Sequence, residues 1–92
     1  MIKHYILEGV RVLDFTRVVA GPYTTRVLAD MGAEIIKIDH PPAPGETPAR
    51  SSGSVANNIG KRSIAINLKT EAGLEIALSL ASRADVLVEN FR

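Results

Sequence analysis

Cysteine is absent from the 92 residues, which removes disulfides, thiolate nucleophiles and cysteine-ligated metals together and fits a reducing compartment. An excess of charge of one sign is absent too, because 11 basic residues against 10 acidic leave a net charge of +1. That balance argues against a generic nucleic-acid or polyanion coat, so any cationic site has to be local. Long apolar runs are also missing. The opening MIKHYILEGV holds three consecutive apolar residues, Tyr5, Ile6 and Leu7, before Glu8, too few for the core of a secretion signal. No run approaches the roughly 18 apolar residues of a membrane span. The expectation is a cytoplasmic protein that engages neither membrane nor nucleic acid. Neither G-x-G-x-x-G nor G-x-x-x-x-G-K-[ST] occurs, which lowers the case for NAD, FAD or ATP. No second histidine stands at metal-ligand spacing from His40, since His4 lies in the N-terminal tail, and no metal site is expected.

What remains is an ordinary globular composition, 46% hydrophobic and 23% charged. Residues 10–15, VRVLDF, form a short β-rich run. Pro22 suits the first turn of a following helix, where its missing N–H costs nothing. Tyr23, Val27, Leu28 and Met31 then recur at helical spacing, and Gly32 stands where a left-handed terminal residue is wanted. EIIKID at 34–39 reads as a second strand, reached by a right-handed crossover. Regularity then lapses over residues 40–62, which hold four of the five prolines, the mark of a functional or mobile loop. SIAINL at 63–68 predicts a third strand with Ile64, Ile66 and Leu68 on one face. Thr70 can cap the next helix and Glu71 suits its positive end. Leu74, Ala77, Leu78 and Ala81 make the apolar stripe of that helix, and DVLVEN at 85–90 predicts a fourth strand.

The sum is an α/β fold: β-α-β, a long loop, then β-α-β, half of a Rossmann-like doubly wound parallel sheet. Two helices hardly cover both faces and both edges of such a sheet, so residues 1–92 are expected to be part of a larger domain.

In these sheets ligands bind beyond the carboxyl ends of the strands. Arg17, His40, Lys69, Asn90 and Arg92 stand at those ends and would line one pocket, while small Ala20 and Gly21 let a ligand approach the backbone. Each feature also has a plainer reading. A Gly-Pro turn more often just starts a helix, and His40 beside two prolines is more often a loop residue. Lys61 and Arg62 read as a solvated guard of a strand edge. Asp14, Asp39 and Glu89, one at each strand end, are explained as well by solvation and turn chemistry as by acid/base work, and no catalytic pair stands out.

The wording of three segments is more specific. LEGVRVLDFTRVVAGPYTTRVLADMGAEIIKID, GKRSIAINLKTEAG and ADVLVENFR resemble, in order and spacing, the N-terminal region of the class III coenzyme A transferases, the family of formyl-CoA transferase and the carnitine CoA-transferases. The 2-methylacyl-CoA racemases share its fold. The resemblance implies the N-terminal part of a large Rossmann-like domain, in a protein whose subunits interlock as a homodimer. It implies acyl-CoA and a carboxylic acid as substrates, with CoA moved through anhydride and thioester intermediates on an aspartate, and no permanently bound cofactor. By position, Arg17, Val18, Val19 and Ala20 match the segment at the CoA thiol end, with Val19 and Ala20 bordering the active site. His40 stands where many relatives have arginine near the adenine and phosphates, Ile66 and Lys69 match the adenosine site, and Asn90 with Phe91 matches a pair beside the pantetheine channel. The family's aspartate lies downstream of Asn90-Phe91-Arg92, so no catalytic residue is expected within this chain. A racemase-like fragment and a non-enzymatic CoA-binding module are the alternative readings.

Overall fold

The computed structural model describes residues 4–17, 20–42, 44–45 and 56–92. The elements run β1 (Arg11–Asp14), α1 (Ala20–Asp30), β2 (Glu34–Asp39), β3 (Arg62–Ala65), α2 (Glu71–Ser82) and β4 (Val86–Val88). All strand pairings are parallel: β1 lies between β2 and β4, and β3 flanks β2, giving the order β3-β2-β1-β4. This is the α/β arrangement the sequence predicts.

Alternation along β1 divides the core in two. Leu13 and Phe15 face one way and pack with Ile38, Ile66 and Ala77 of α2, backed by Leu80 and Ala81. Val12 faces the other way with Ala33 and Ile35, against Leu28 and Ala29 of α1. The two helices therefore cover opposite faces of the sheet, which is what doubly wound means in physical terms. The chain moves from β1 to β2 under one helix and back across to β4 under the other.

Local chemistry sets the boundaries. Gly32, at a φ of +102°, ends α1 in the left-handed region, and its N–H reaches the Ala29 carbonyl. The third strand is shorter than the alternation in 63–68 predicts. The Asn67 side chain accepts the Lys69 N–H at 3.0 Å, and its carbonyl accepts the Thr70 hydroxyl at 2.8 Å. Asn67 thus turns the chain before Leu68 can extend the ladder. Thr70, in an extended conformation, then caps α2 by accepting the Gly73 N–H. The fourth strand likewise stops at Val88, because the side chains of Glu89 and Asn90 bond to backbone beyond the ladder.

Each helix buries part of the stripe that hydropathy suggests, Leu28 in α1 and Ala77 with Ala81 in α2, and exposes the rest. Tyr23 and Val27 of α1 and Met31 just beyond it are exposed, and the buried residues of the helix are Pro22 and Thr25. The Thr25 hydroxyl bonds to Asp14 beneath it, and that polar tie fixes the rotation of the helix. In α2, Leu74 and Leu78 are exposed while the small Gly73 and Ala77 face the sheet. Ile64, Val86 and Leu87 on the outer strands are exposed as well. Among the described residues the sheet carries uncovered apolar surface beyond what α1 and α2 reach.

Candidate functional site at the carboxyl edge of the sheet

Parallel pairing puts the carboxyl ends of all four strands on one edge. Across it stand Lys69 after β3, His40 after β2, Arg17 after β1 and Asn90 after β4, in the order of the sheet. The topology reverses between β1 and β4, because the chain leaves β1 through α1 on one face and reaches β4 through α2 on the other, and such a point opens a crevice for ligands.

At that point the chain is tied across the gap. The Arg17 N–H donates to Asn90 Oδ1 at 3.0 Å, and Asn90 Nδ2 donates to the Arg17 carbonyl at 2.8 Å. One amide side chain thus pairs with the N–H and the C=O of a single residue, as a neighbouring strand would. Beside it the rings of Phe15 and Phe91 meet at a centroid distance of 6.1 Å and an interplanar angle of 57°, a tilted aromatic pair. The Phe15 N–H continues the ladder to the Val88 carbonyl at 2.9 Å. Of the residues singled out in the sequence, Arg17, Asn90 and Phe91 are brought together, and each is exposed. Ala20 is the first residue of α1 and is exposed. Val18 and Val19 lie outside the described residues. His40 and Lys69 are exposed at the same edge, whereas the Ile66 side chain is buried in the core beneath α2.

Directly under the β1–α1 turn lies a group that the sequence reading did not assemble. Asp14 is 0% exposed. Its Oδ1 accepts the Thr16 N–H at 2.8 Å and the Thr16 hydroxyl at 2.5 Å. Its Oδ2 accepts the Thr25 hydroxyl at 2.5 Å and Lys61 Nζ at 3.1 Å. Lys61 Nζ also donates to the Pro22 carbonyl at 3.0 Å and to Asn58 Oδ1 at 3.5 Å. Lys37, the cross-strand partner of Asp14, places Nζ 3.9 Å from Oδ2 and donates to the Thr16 carbonyl at 2.6 Å. Two expectations are corrected here. Lys61 is no solvated edge guard, since its side chain is 1% exposed, and Asp14 is not kept at a strand end by solvation. In both cases an opposite charge inside the fold replaces water. One signal did exist: Lys37 interrupts the run of isoleucines, Ile35, Ile36 and Ile38, inside EIIKID.

Burial by itself would raise the pKa of Asp14. The hydrogen bonds from Thr16 and Thr25 and the charge of Lys37 outweigh it, and the carboxyl titrates below its usual 3.8. For Lys61 burial dominates and lowers the pKa from 10.5, against the opposing hydrogen bond and charge of Asp14. With four donors on its two oxygens, Asp14 is a held anchor rather than an accessible nucleophile. Close packing completes the turn: a Cβ on Gly21 would collide with the Thr16 side chain.

Comparison with known proteins identifies the family. The model of CoA-transferase family III matches residues 7–92. The succinyl-CoA:mesaconate CoA-transferase of Haloarcula marismortui is 43% identical over 94% of this chain, and the succinyl-CoA:glutarate CoA-transferase of Mus musculus is 44% identical over 92%. The crystal structure of the hypothetical protein Rv3272 from Mycobacterium tuberculosis superposes with a TM-score of 0.84 at 43% identity, covering 97% of this chain and 26% of that one. The chain spans 24% and 21% of the lengths of the two curated relatives. Among the described residues no helix is long and apolar enough to cross a membrane. With a family model spanning nearly its whole length, the chain belongs to CoA-transferase family III.

Proposed function

We propose that this chain forms the N-terminal part of the large domain of an acyl-CoA:carboxylate CoA-transferase, acting in the cytoplasm as an interlocked homodimer. In this reading it supplies contacts to CoA, and a downstream segment supplies the aspartate on which anhydride and thioester intermediates form. The observation that carries the reading is the Asn90 clasp on the Arg17 peptide, which sets the β1–α1 turn at the switch point of the sheet. Small Ala20 and Gly21 then leave room for a thioester, and backbone N–H groups near the start of α1 would steady the oxyanion of a tetrahedral intermediate. Arg17, His40 and Lys69 would serve the phosphates of CoA, a local cationic set in a chain whose net charge is +1. Phe91 and Asn90 would border the pantetheine arm. Ile66 contributes through its place at the end of β3, its side chain being held in the core.

The relatives named above act, by their names, on CoA thioesters of dicarboxylic acids, which supports a carboxylic acid acceptor in this reading. Retention on immobilised CoA tests the reading. Free CoA should release the protein and NAD should not, and Asn90→Ala should weaken retention at least tenfold. Release by NAD, or full retention of Asn90→Ala, would overturn it.

A further inference from the structure

We infer that Lys61 is a positioning residue for the β1–α1 turn, fastening both ends of that turn to the buried Asp14 carboxylate. Its ammonium group bonds on one side to Asp14 Oδ2 and on the other to the carbonyl of Pro22 in the first turn of α1. Asp14 in turn holds the amide and hydroxyl of Thr16, and Lys37 holds the Thr16 carbonyl. Thr16, the residue before Arg17, is thereby fixed at its N–H, its C=O and its side chain. Pro22 is fixed through Lys61, whose ammonium donates to its carbonyl at 3.0 Å. Thr16 before the turn and Pro22 after it are consequently both tied to the one buried carboxylate.

The physical reason for a lysine lies in reach and valence. Lys61 is 47 positions from Asp14 and arrives at the close of the long 40–60 connection. A single ammonium there bridges three oxygens, on β1, on α1 and on Asn58. An apolar side chain would fill the same space and bond none of them. Burying the charge costs desolvation, which the paired carboxylate offsets. What the arrangement contributes is a fixed geometry where a loose turn would otherwise move, and displacements of about 1 Å near a reacting centre cost about 100-fold in rate.

This role in turnover rests on the transferase reading, but its structural part is measured without activity. In the full-length protein, Lys61→Met should raise amide exchange at Thr16 and Arg17 at least tenfold while the β1–β2 ladder amides of Leu13 and Ile36 stay within twofold. It should lower kcat for CoA transfer at least tenfold with KM for acyl-CoA within threefold. Unchanged exchange at Thr16 and Arg17, or equal acceleration along the ladder, would overturn the inference. If Lys61→Met does not fold, the double variant Asp14→Asn with Lys61→Met, which strands no lone carboxylate, is read by the same criteria. Absence of CoA transfer in the unsubstituted protein would sink the transferase reading alone, because the exchange comparison would still decide the role of Lys61.

Discussion

Leu13 and Asp14 are neighbours in β1 and about equally buried, 1% and 0% exposed, yet they point into opposite kinds of interior. The α2 face beyond Leu13 is apolar throughout: Phe15, Ile38, Ile66 and Ala77. The α1 face begins in the same way with Val12, Ala33 and Ile35, then turns ionic at Asp14, Lys37 and Lys61. The change occurs at the carboxyl edge, under the turn that leads to α1. The α2 face is held by area removed from water, which is tolerant of direction. The carboxyl end of the α1 face is held by directed bonds to specific backbone atoms. A sheet that must both stand and present a defined turn uses the first for standing and the second for the turn.

The largest expected effect breaks the ionic side. Asp14→Ala leaves two buried ammonium groups without their carboxylate and should cost about 3–5 kcal/mol in denaturant unfolding. Leu13→Ala, on the apolar side, should cost about 2–5 kcal/mol by the same measurement, through lost transfer energy and a cavity. Acid sharpens the comparison. Asp14 ionises more readily in the folded chain than its usual 3.8, so its stabilisation is complete above that value and is lost as pH falls through the lower folded value. Unfolding curves of Leu13→Ala should keep this acid-side loss, and those of Asp14→Ala should lack its Asp14 component.

Gly21→Ala comes next, at about 1–3 kcal/mol, because the added methyl must displace the Thr16 side chain that Asp14 holds. A thermal melt that leaves the midpoint unchanged would show the turn to be looser than the geometry implies. The smallest effect belongs outside both cores. Arg62 reaches Glu34 at 3.7 Å from a side chain that is 81% exposed, and Arg62→Ala should cost about 0–1 kcal/mol, less still at high salt.

The sequence made the element order legible because β-branched runs, a proline at a helix start and a threonine cap are local signals. Strand ends mark themselves by where the apolar runs stop, which is how Arg17 and Asn90 stand out, and these two bond to each other; Phe91 stands out only through the family resemblance. The helix faces are legible only in part: Leu28, Ala77 and Ala81 of the expected stripes do pack inward. Hydropathy put Tyr23, Val27 and Met31 inward, but the Thr25 bond to Asp14 sets the rotation of α1. Lys61 was misread for a related reason. A basic residue beside a strand is usually solvated, and no short-range pattern reveals an acid waiting 47 positions earlier.

By itself, then, the sequence determined the alternation of strands and helices, the parallel sheet they imply and the family to which the three motifs point. Each of these depends on neighbours a few positions apart, within reach of backbone periodicity. The tertiary structure alone decided which charges leave water, which way each helix turns and how the β1–α1 turn is held. A buried ion pair needs two distant segments to arrive at one point together, and that condition belongs to the folded chain and to no stretch of it.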